Sequence, residues 1–290
     1  MKIIQNKYGY YEIKNKPDNN ELEKYYADKY YQNEMASHKK EYSATELSYI
    51  ENKIAQKYLL IKDKIDGSKN PKLLDVGCGE GFTLKFFKSK GWNITGLDYS
   101  VHGIETQNPD CINEFISGDI YQSLNKIKEH GEKFDLIWLD NVLEHVVNPK
   151  DLVNTCYSLG QKGSLMIIEV PNDFSVVQRI LKEEEHVDKD YWIALPDHLS
   201  YFNLEGLRNL VQDCGWVHYD SIADFPIEFN LFNPETNYVN DKTKGKLAHF
   251  QRLKVENIMN DISLEKTVDI YRILAEMGLG RQIASVFIRE

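Results

Sequence analysis

Cysteine is scarce in this 290-residue sequence, and Cys78, Cys111, Cys156 and Cys214 stand far apart with no C-x-x-C pair. That spacing excludes a disulfide framework and a cysteine zinc site, and fits free thiols in a reducing compartment. Long apolar runs are missing too. No stretch reaches bilayer-spanning length, and the opening MKIIQNKYGYYEIKNK lacks the apolar centre of a secretion signal. The expectation is a soluble protein with no membrane partner, kept in the cytoplasm where it is made. Nor is there an excess of positive charge. Lys and Arg number 35 against 45 Asp and Glu, a net −10, which argues against nucleic acid as the main partner. Internal repeats and low-complexity tracts are absent. The composition otherwise, 42% hydrophobic and 28% charged, is that of a globular protein, long enough for one large domain with a smaller cap.

Three regions follow from the patterning. Residues 1–70 read as an N-terminal lid or cap segment, with a hairpin-like stretch around Tyr8–Lys14 and a turn at Pro17-Asp18-Asn19-Asn20. Helices are expected near Glu21–Gln32 and from Ser43, where Ser43-x-x-Glu46 is a capping box, to about Lys64. Residues 71–221 alternate short apolar runs (Lys72–Val76, Asn93–Leu97, Glu114–Ser117, Phe134–Leu139, Ser164–Val170, Trp216–Ser221) with helical patterns near Thr83–Lys90, Val101–Gln107, Ile120–Glu129, Pro149–Leu159 and Leu204–Cys214. Such alternation predicts an α/β fold, a doubly wound and mostly parallel sheet. Residues 222–281 read as a cap insertion, an aromatic, Asn-containing stretch and two helices stopped by Gly278-Leu279-Gly280. Residues 282–290 return as a final core strand.

The segment PKLLDVGCGEGFTLKFF carries the chemistry of a nucleotide-type cofactor. A strand delivers Asp75, the turn Gly77-x-Gly79-x-Gly81 follows, and a helix begins. Glycines at alternate positions permit positive φ and let a ligand approach bare backbone. Asp98 ends the next strand at the spacing at which a carboxylate meets ribose hydroxyls, and Asp119 ends the third near an adenine edge. The spacing is G-x-G-x-G rather than the G-x-G-x-x-G of dinucleotide sites. Asp75, two residues ahead of it, would repel a pyrophosphate and attract an ammonium.

DVGCGEG, GLDYS, SGDI, FDLIWLDNVLEHV and GSLMIIEVPN together resemble the successive motifs of class I S-adenosylmethionine (SAM)-dependent methyltransferases, over roughly residues 70–220 and the closing strand. N-V-L-E-H-V and P-x-H-L-x-Y-F bring the sequence nearest the branch of quinone-biosynthesis and sugar methyltransferases. The resemblance implies a seven-stranded Rossmann-like sheet with its last strand antiparallel, and SAM over the carboxyl ends of the first strands. It implies that Asp75 and Gly77 contact the methionine part, with Gly79 and Gly81 in the same turn, that Asp98 meets the ribose, and that Asp119 and Ile120 meet the adenine, with Tyr99 and Asn141 also among the cofactor-binding residues.

Methyl transfer to a hydroxyl needs an aligned nucleophile and a base for its proton. His145, in Asp140-Asn141-Val142-Leu143-Glu144-His145, is one candidate; a histidine merely bonded to nearby backbone is the plainer alternative. His198, in Leu195-Pro196-Asp197-His198-Leu199-Ser200-Tyr201-Phe202, is the other, against a reading in which that loop is capping and packing residues. Some relatives hold a divalent metal with E-x-x-E-H; Asn141 replaces the first Glu here, so no metal is expected. Tyr25, Tyr26, Tyr30, Tyr31 and the Phe225–Tyr238 loop suit a lid, or simply the packing of a cap. The expected function is O-methylation of a small molecule or glycan precursor, in surface-polysaccharide biosynthesis. N-methylation, methylation of a carboxylate- or phosphate-type oxygen, and a non-catalytic SAM-binding protein stay open beside it.

Overall fold

Apolar runs become strands because both faces of the sheet are covered, and their alternation divides the side chains between two cores. The computed structural model describes residues 2–17, 41–65 and 70–290. In chain order these hold β1 (Ile3–Gln5), β2 (Tyr11–Ile13), α1 (Ala44–Leu59), α2 (Lys62–Ile65), β3 (Lys72–Val76), α3 (Phe82–Ser89), β4 (Asn93–Asp98), α4 (His102–Gln107), β5 (Phe115–Ser117), α5 (Ile120–Glu129), β6 (Phe134–Asp140), α6 (Pro149–Leu159) and β7 (Gly160–Pro171). Then come α7 (Val176–Glu183), β8 (Ser200–Tyr201), α8 (Leu204–Asp213), β9 (Val217–Ala223), α9 (Gly245–Ile262), α10 (Leu264–Glu276) and β10 (Gln282–Ile288). Seven strands make one sheet in the order β5-β4-β3-β6-β7-β10-β9, with β10 antiparallel to both neighbours and the other pairs parallel. This is the expected mostly parallel, doubly wound Rossmann-like sheet. A second, three-stranded sheet joins β1, β2 and β8.

Successive residues of a strand point to opposite faces. Leu74, Val76, Ile137, Leu139, Met166 and Ile168 enter one core, beneath Leu124 and Ile127 of α5, Leu152 and Cys156 of α6 and Leu207 and Leu210 of α8. Leu73, Leu136, Trp138, Leu165 and Ile167 enter the other, beneath Ile54 of α1, Leu84 and Phe87 of α3 and Val268 and Tyr271 of α10. All four cysteines are buried free thiols.

The helix predicted near Glu21–Gln32, and Tyr25, Tyr26, Tyr30 and Tyr31, lie outside the described residues. The hairpin is present but begins earlier than expected, pairing Ile3 with Ile13 and Gln5 with Tyr11. The capping box at Ser43 and Glu46 forms, yet its helix stops at Leu59. Leu60 and Ile61 are both buried, and their amides bond three residues back (to Lys57 O at 3.2 Å and Tyr58 O at 3.0 Å), a tighter turn that ends α1. The sequence reading left out α7, although Ser175 and Gln178 make a full capping box there. In the Phe225–Tyr238 stretch, Leu231 and Tyr238 pack with Val177, Leu181 and Val187 in a small separate core, so these side chains serve packing.

Candidate active site

Register places the carboxyl ends of the central strands in one row: Val76 lies level with Leu97 and Leu139, and Asp140 level with Glu169. The chain beyond β3 turns through Gly77 (φ +76°), Gly79 (φ +51°) and Gly81 (φ +76°), the left-handed region that suits glycine. Gly77 and Cys78 both donate to Leu97 O, at 2.7 and 2.9 Å. A Cβ on Gly77 would sit 2.5 Å from Val142 Cγ2, whereas one on Gly79 would meet nothing within 4 Å. Gly77 is therefore bare for packing, and Gly79 borders open space that a ligand can fill.

Asp98 Oδ2 accepts from the Gly79 amide at 2.9 Å and Oδ1 from Ser100 N at 3.1 Å, which fixes the carboxylate beside the glycine turn. Asp75 is 2% exposed, and none of the hydrogen bonds among the described residues reaches its carboxylate. Burial, then Asp140 and Asp98, push its pKa well above the ordinary carboxylate range, with Lys57 opposing. A buried acid among acids lacks a cation. The cradle over Gly79 and the acid beneath it fit the ammonium end of SAM.

The other sequence candidates divide. Tyr99 follows β4 and is 39% exposed. Asp119 caps α5, Oδ1 accepting from Gln122 N at 2.8 Å, so one of its oxygens is structural. Ile120 packs partly buried against the core. Asn141 stands just past β6 at φ +54°, its amide N–H donating to Glu169 O at 2.9 Å and its Nδ2 to Asp140 Oδ1 at 2.8 Å.

Lys57 was not foreseen. Its ammonium, on α1, donates to Glu169 Oε2 at 2.7 Å and to Asp140 Oδ2, with its side chain only 3% exposed and 5.0 Å from the Trp138 ring centroid. Burial pulls its pKa down, but Asp140 and Glu169 outweigh that and the net shift is upward. The signal was there: Lys57 falls on the apolar face of α1 with Ile50 and Ile54, where a lysine needs an acid. Tyr42, whose hydroxyl donates to Glu80 Oε2 at 2.6 Å, was also missed beside the glycine turn.

His145 and His198, 53 positions apart, come together with ring centroids 4.8 Å apart. His145 lies in a turn, 3.8 Å from Glu144 Oε1 and with its side chain 32% exposed. Its Nδ1 is 2.9 Å from the carbonyl of Asp197. A carbonyl only accepts, so Nδ1 carries the proton and the neutral ring keeps its lone pair on Nε2. Glu144 is 1% exposed, neither carboxylate oxygen has a hydrogen-bond partner among the described residues, and burial pushes its pKa well up. Glu144, His145 and His198 offer donor atoms all within 4.8 Å of one another, the arrangement a divalent ion would need. Tyr201 and Phe202 are fully buried, so the packing alternative for those two residues holds, while Ser200 belongs to β8 and caps no helix.

The ubiquinone biosynthesis O-methyltransferase of Actinobacillus pleuropneumoniae is 29% identical over 128 residues, 42% of this chain and 52% of the relative. The enzyme of that name from Proteus mirabilis is 28% identical over 193 residues, 62% of this chain and 76% of its own. The chain thus spans about half the length of the first of these curated relatives. Among solved structures, a SAM-dependent methyltransferase from Archaeoglobus fulgidus has a TM-score of 0.51 at 19% identity, covering 82% of this chain and 94% of that one. Magnesium protoporphyrin IX methyltransferase from Synechocystis PCC 6803, solved with bound SAH, also scores 0.51, at 11% identity, covering 94% of this chain and all of that one. At these identities the likeness is one of fold. The methyltransferase domain itself matches residues 44–219, from α1 to β9, and so takes in the glycine turn, the strand-end acids and both histidines. The chain belongs to the methyltransferase-domain family, the class of enzyme that takes its methyl group from SAM.

Proposed function

We propose that this chain moves a methyl group from SAM to an oxygen of a small-molecule acceptor, with His145 as the base. The observation that carries this reading is the hydrogen bond of His145 Nδ1 to Asp197 O, which puts the ring proton on Nδ1 and the lone pair on Nε2. SAM supplies a methyl already activated by the positive charge of its sulfonium. Asp75 faces the ammonium, Gly79 gives backbone access, Asp98 takes the ribose hydroxyls, and Asp119 with Ile120 borders the adenine. His145 Nε2 would take the acceptor's hydroxyl proton as the new oxygen–carbon bond forms and the sulfur–methyl bond breaks, the electron pair staying on sulfur and S-adenosylhomocysteine leaving. The acceptor we favour is a sugar or glycan precursor handled in the cytoplasm, from the resemblance to the sugar branch; the named relatives make a quinone-type ring hydroxyl the competing acceptor. Calorimetric titration with SAM, S-adenosylhomocysteine and NAD tests the first half. The first two should bind and NAD should not; binding of NAD alone would make this a dinucleotide site and overturn the reading.

A further inference from the structure

A single residue, Ser263, joins α9 to α10, and Tyr271 OH donates to Glu256 Oε2 at 2.9 Å, so the two helices run back antiparallel with Glu256 level with Tyr271. Their inner sides are taken. On α9, Asn257 and Asn260 accept from Asn52 and Gln56 of α1 at 3.0 and 2.9 Å; on α10, Val268 and Tyr271 enter the core. The outer sides are apolar as well. Leu247, Phe250, Ile258 and Ile262 on α9 are exposed, Leu247 by 73% and Ile262 by 77%, and so are Ile270, Ile273 and Met277 on α10. Both sets fall on the helical period, one stripe to a helix. These seven are almost half of the fifteen large apolar side chains exposed among the described residues. Scattered exposure is ordinary, but a concentrated set marks a surface that something covers.

The exposed charges say what fits there. On α9 they are Lys246 and Lys254 against Asp261; on α10 they are Glu265, Asp269 and Glu276 against Lys266. A basic helix beside an acidic one complements a second copy of itself, whereas an anionic lipid surface would be repelled by the acids of α10. By helix dimensions the face is about 27 Å long and about 20 Å wide, roughly 500 Å² in flat projection. Stable interfaces take roughly 600–1,000 Å² of accessible surface from each partner, and side-chain relief brings this face to that scale. We propose that the outer face of α9 and α10 pairs with a second copy of this chain, α9 of each on α10 of the other, as a two-fold four-helix layer. A two-fold axis running along the helices keeps every residue at its height, so the level of Glu256 with Tyr271 fixes the register. Phe250 then meets the partner's Met277, Ile258 meets the partner's Ile270, and Lys254 lies over the partner's Ile273 within one turn of Glu276. Laying α9 on α9 instead would set lysines against lysines. The pairing also backs α9 from outside, and α9 holds the helix that delivers Lys57.

Sedimentation velocity on the full chain at micromolar concentrations tests this. The wild type should run as a dimer, twice the 33.8 kDa of one chain, and its Tm should rise with concentration. Ile258→Glu and Ile273→Glu should each raise the dimer Kd by roughly tenfold or more, since each puts a charge into the apolar stripe. Both positions are exposed, so circular dichroism should stay that of the wild type. Lys254→Glu should weaken pairing too, and adding Glu276→Lys should restore it, a response that a merely sticky apolar surface would not give. Failure of that exchange to restore a dimer would overturn the α9-on-α10 arrangement. A dimer unmoved by both glutamate substitutions would use another face, and a wild type that stays monomeric would sink the proposal outright. Co-sedimentation of such a monomer with phosphatidylcholine–phosphatidylglycerol vesicles, lost in Ile258→Glu, would give the face to a lipid surface instead.

Discussion

Among the described residues no donor bonds to the Asp75 carboxylate, and burial, then its acid neighbours Asp140 and Asp98, hold its pKa well above the ordinary range. The sign of the consequence follows. In the ligand-free protein the folded state binds a proton that the unfolded state releases above about pH 4. Stability from this group is therefore present at low pH and lost as pH rises through the folded pKa. A cationic ligand reverses the preference, so SAM binding should release a proton and tighten as pH rises through that window. Titration calorimetry in buffers of different ionisation enthalpy reads the proton directly, and Asp75→Asn should abolish the release; an unchanged release would move the titration to another acid. Asp98→Ala should weaken SAM binding by about 1–3 kcal/mol, since ribose hydroxyls lose a charged acceptor. For His145, replacement by Gln keeps bulk but not basicity, and kcat should fall roughly 10²–10⁴-fold with SAM affinity little changed. His198→Gln beside it assigns the base. If chelation by EDTA stops turnover and a divalent ion restores it, the two histidines and Glu144 hold metal instead.

At the scale of elements, the glycine turn and α1 carry opposite lessons. Valine at Gly79 would put its Cβ into open ligand space and strain a turn held at φ +51°, so SAM should cause no thermal shift while circular dichroism keeps the α/β spectrum; a wild-type shift would remove the turn from the site. The turn was legible because its constraint is local: alternate glycines between an apolar strand and a helix admit few other readings. For α1 only half was legible: a lysine on its apolar face announces that it needs an acid, but not which one, because that depends on what lies opposite. Lys57 meets Asp140 and Glu169, 83 and 112 positions away, and only the fold brings them together. Lys57→Met should destabilise by about 3–5 kcal/mol, chiefly the cost of stranding the buried Glu169 carboxylate beside a partly exposed Asp140, seen as a lowered Tm. A near-neutral effect would show that the acids protonate freely and that the lysine is dispensable. The omission of α7 has a different cause. Its capping box was readable, but an eight-residue helix after a long strand gives too short a period to stand out.

Across the whole molecule, the donor and acceptor sides of the site depend on different parts of the chain. The glycine turn, Asp75 and Asp98 belong to β3, β4 and their connections, while His145 is held through Asp197, three residues before β8. The hairpin of β1 and β2 completes the second sheet by pairing Tyr11 with Tyr201, and Tyr10 packs on Phe202 with centroids 4.4 Å apart. That docking is close: a Cβ on Gly206, at the start of α8, would lie 2.6 Å from the Tyr10 backbone nitrogen. Gly206→Val must therefore push the hairpin off α8 or shift the helix, and either change loosens β8 and the carbonyl that orients His145. Turnover should fall while SAM affinity stays near wild type, because the glycine turn is reached by none of these contacts. Measured kcat and SAM Kd separate the possibilities. A parallel loss of both would mean that the hairpin supports the whole sheet rather than the acceptor side, and an unchanged kcat would detach the hairpin from the positioning of His145.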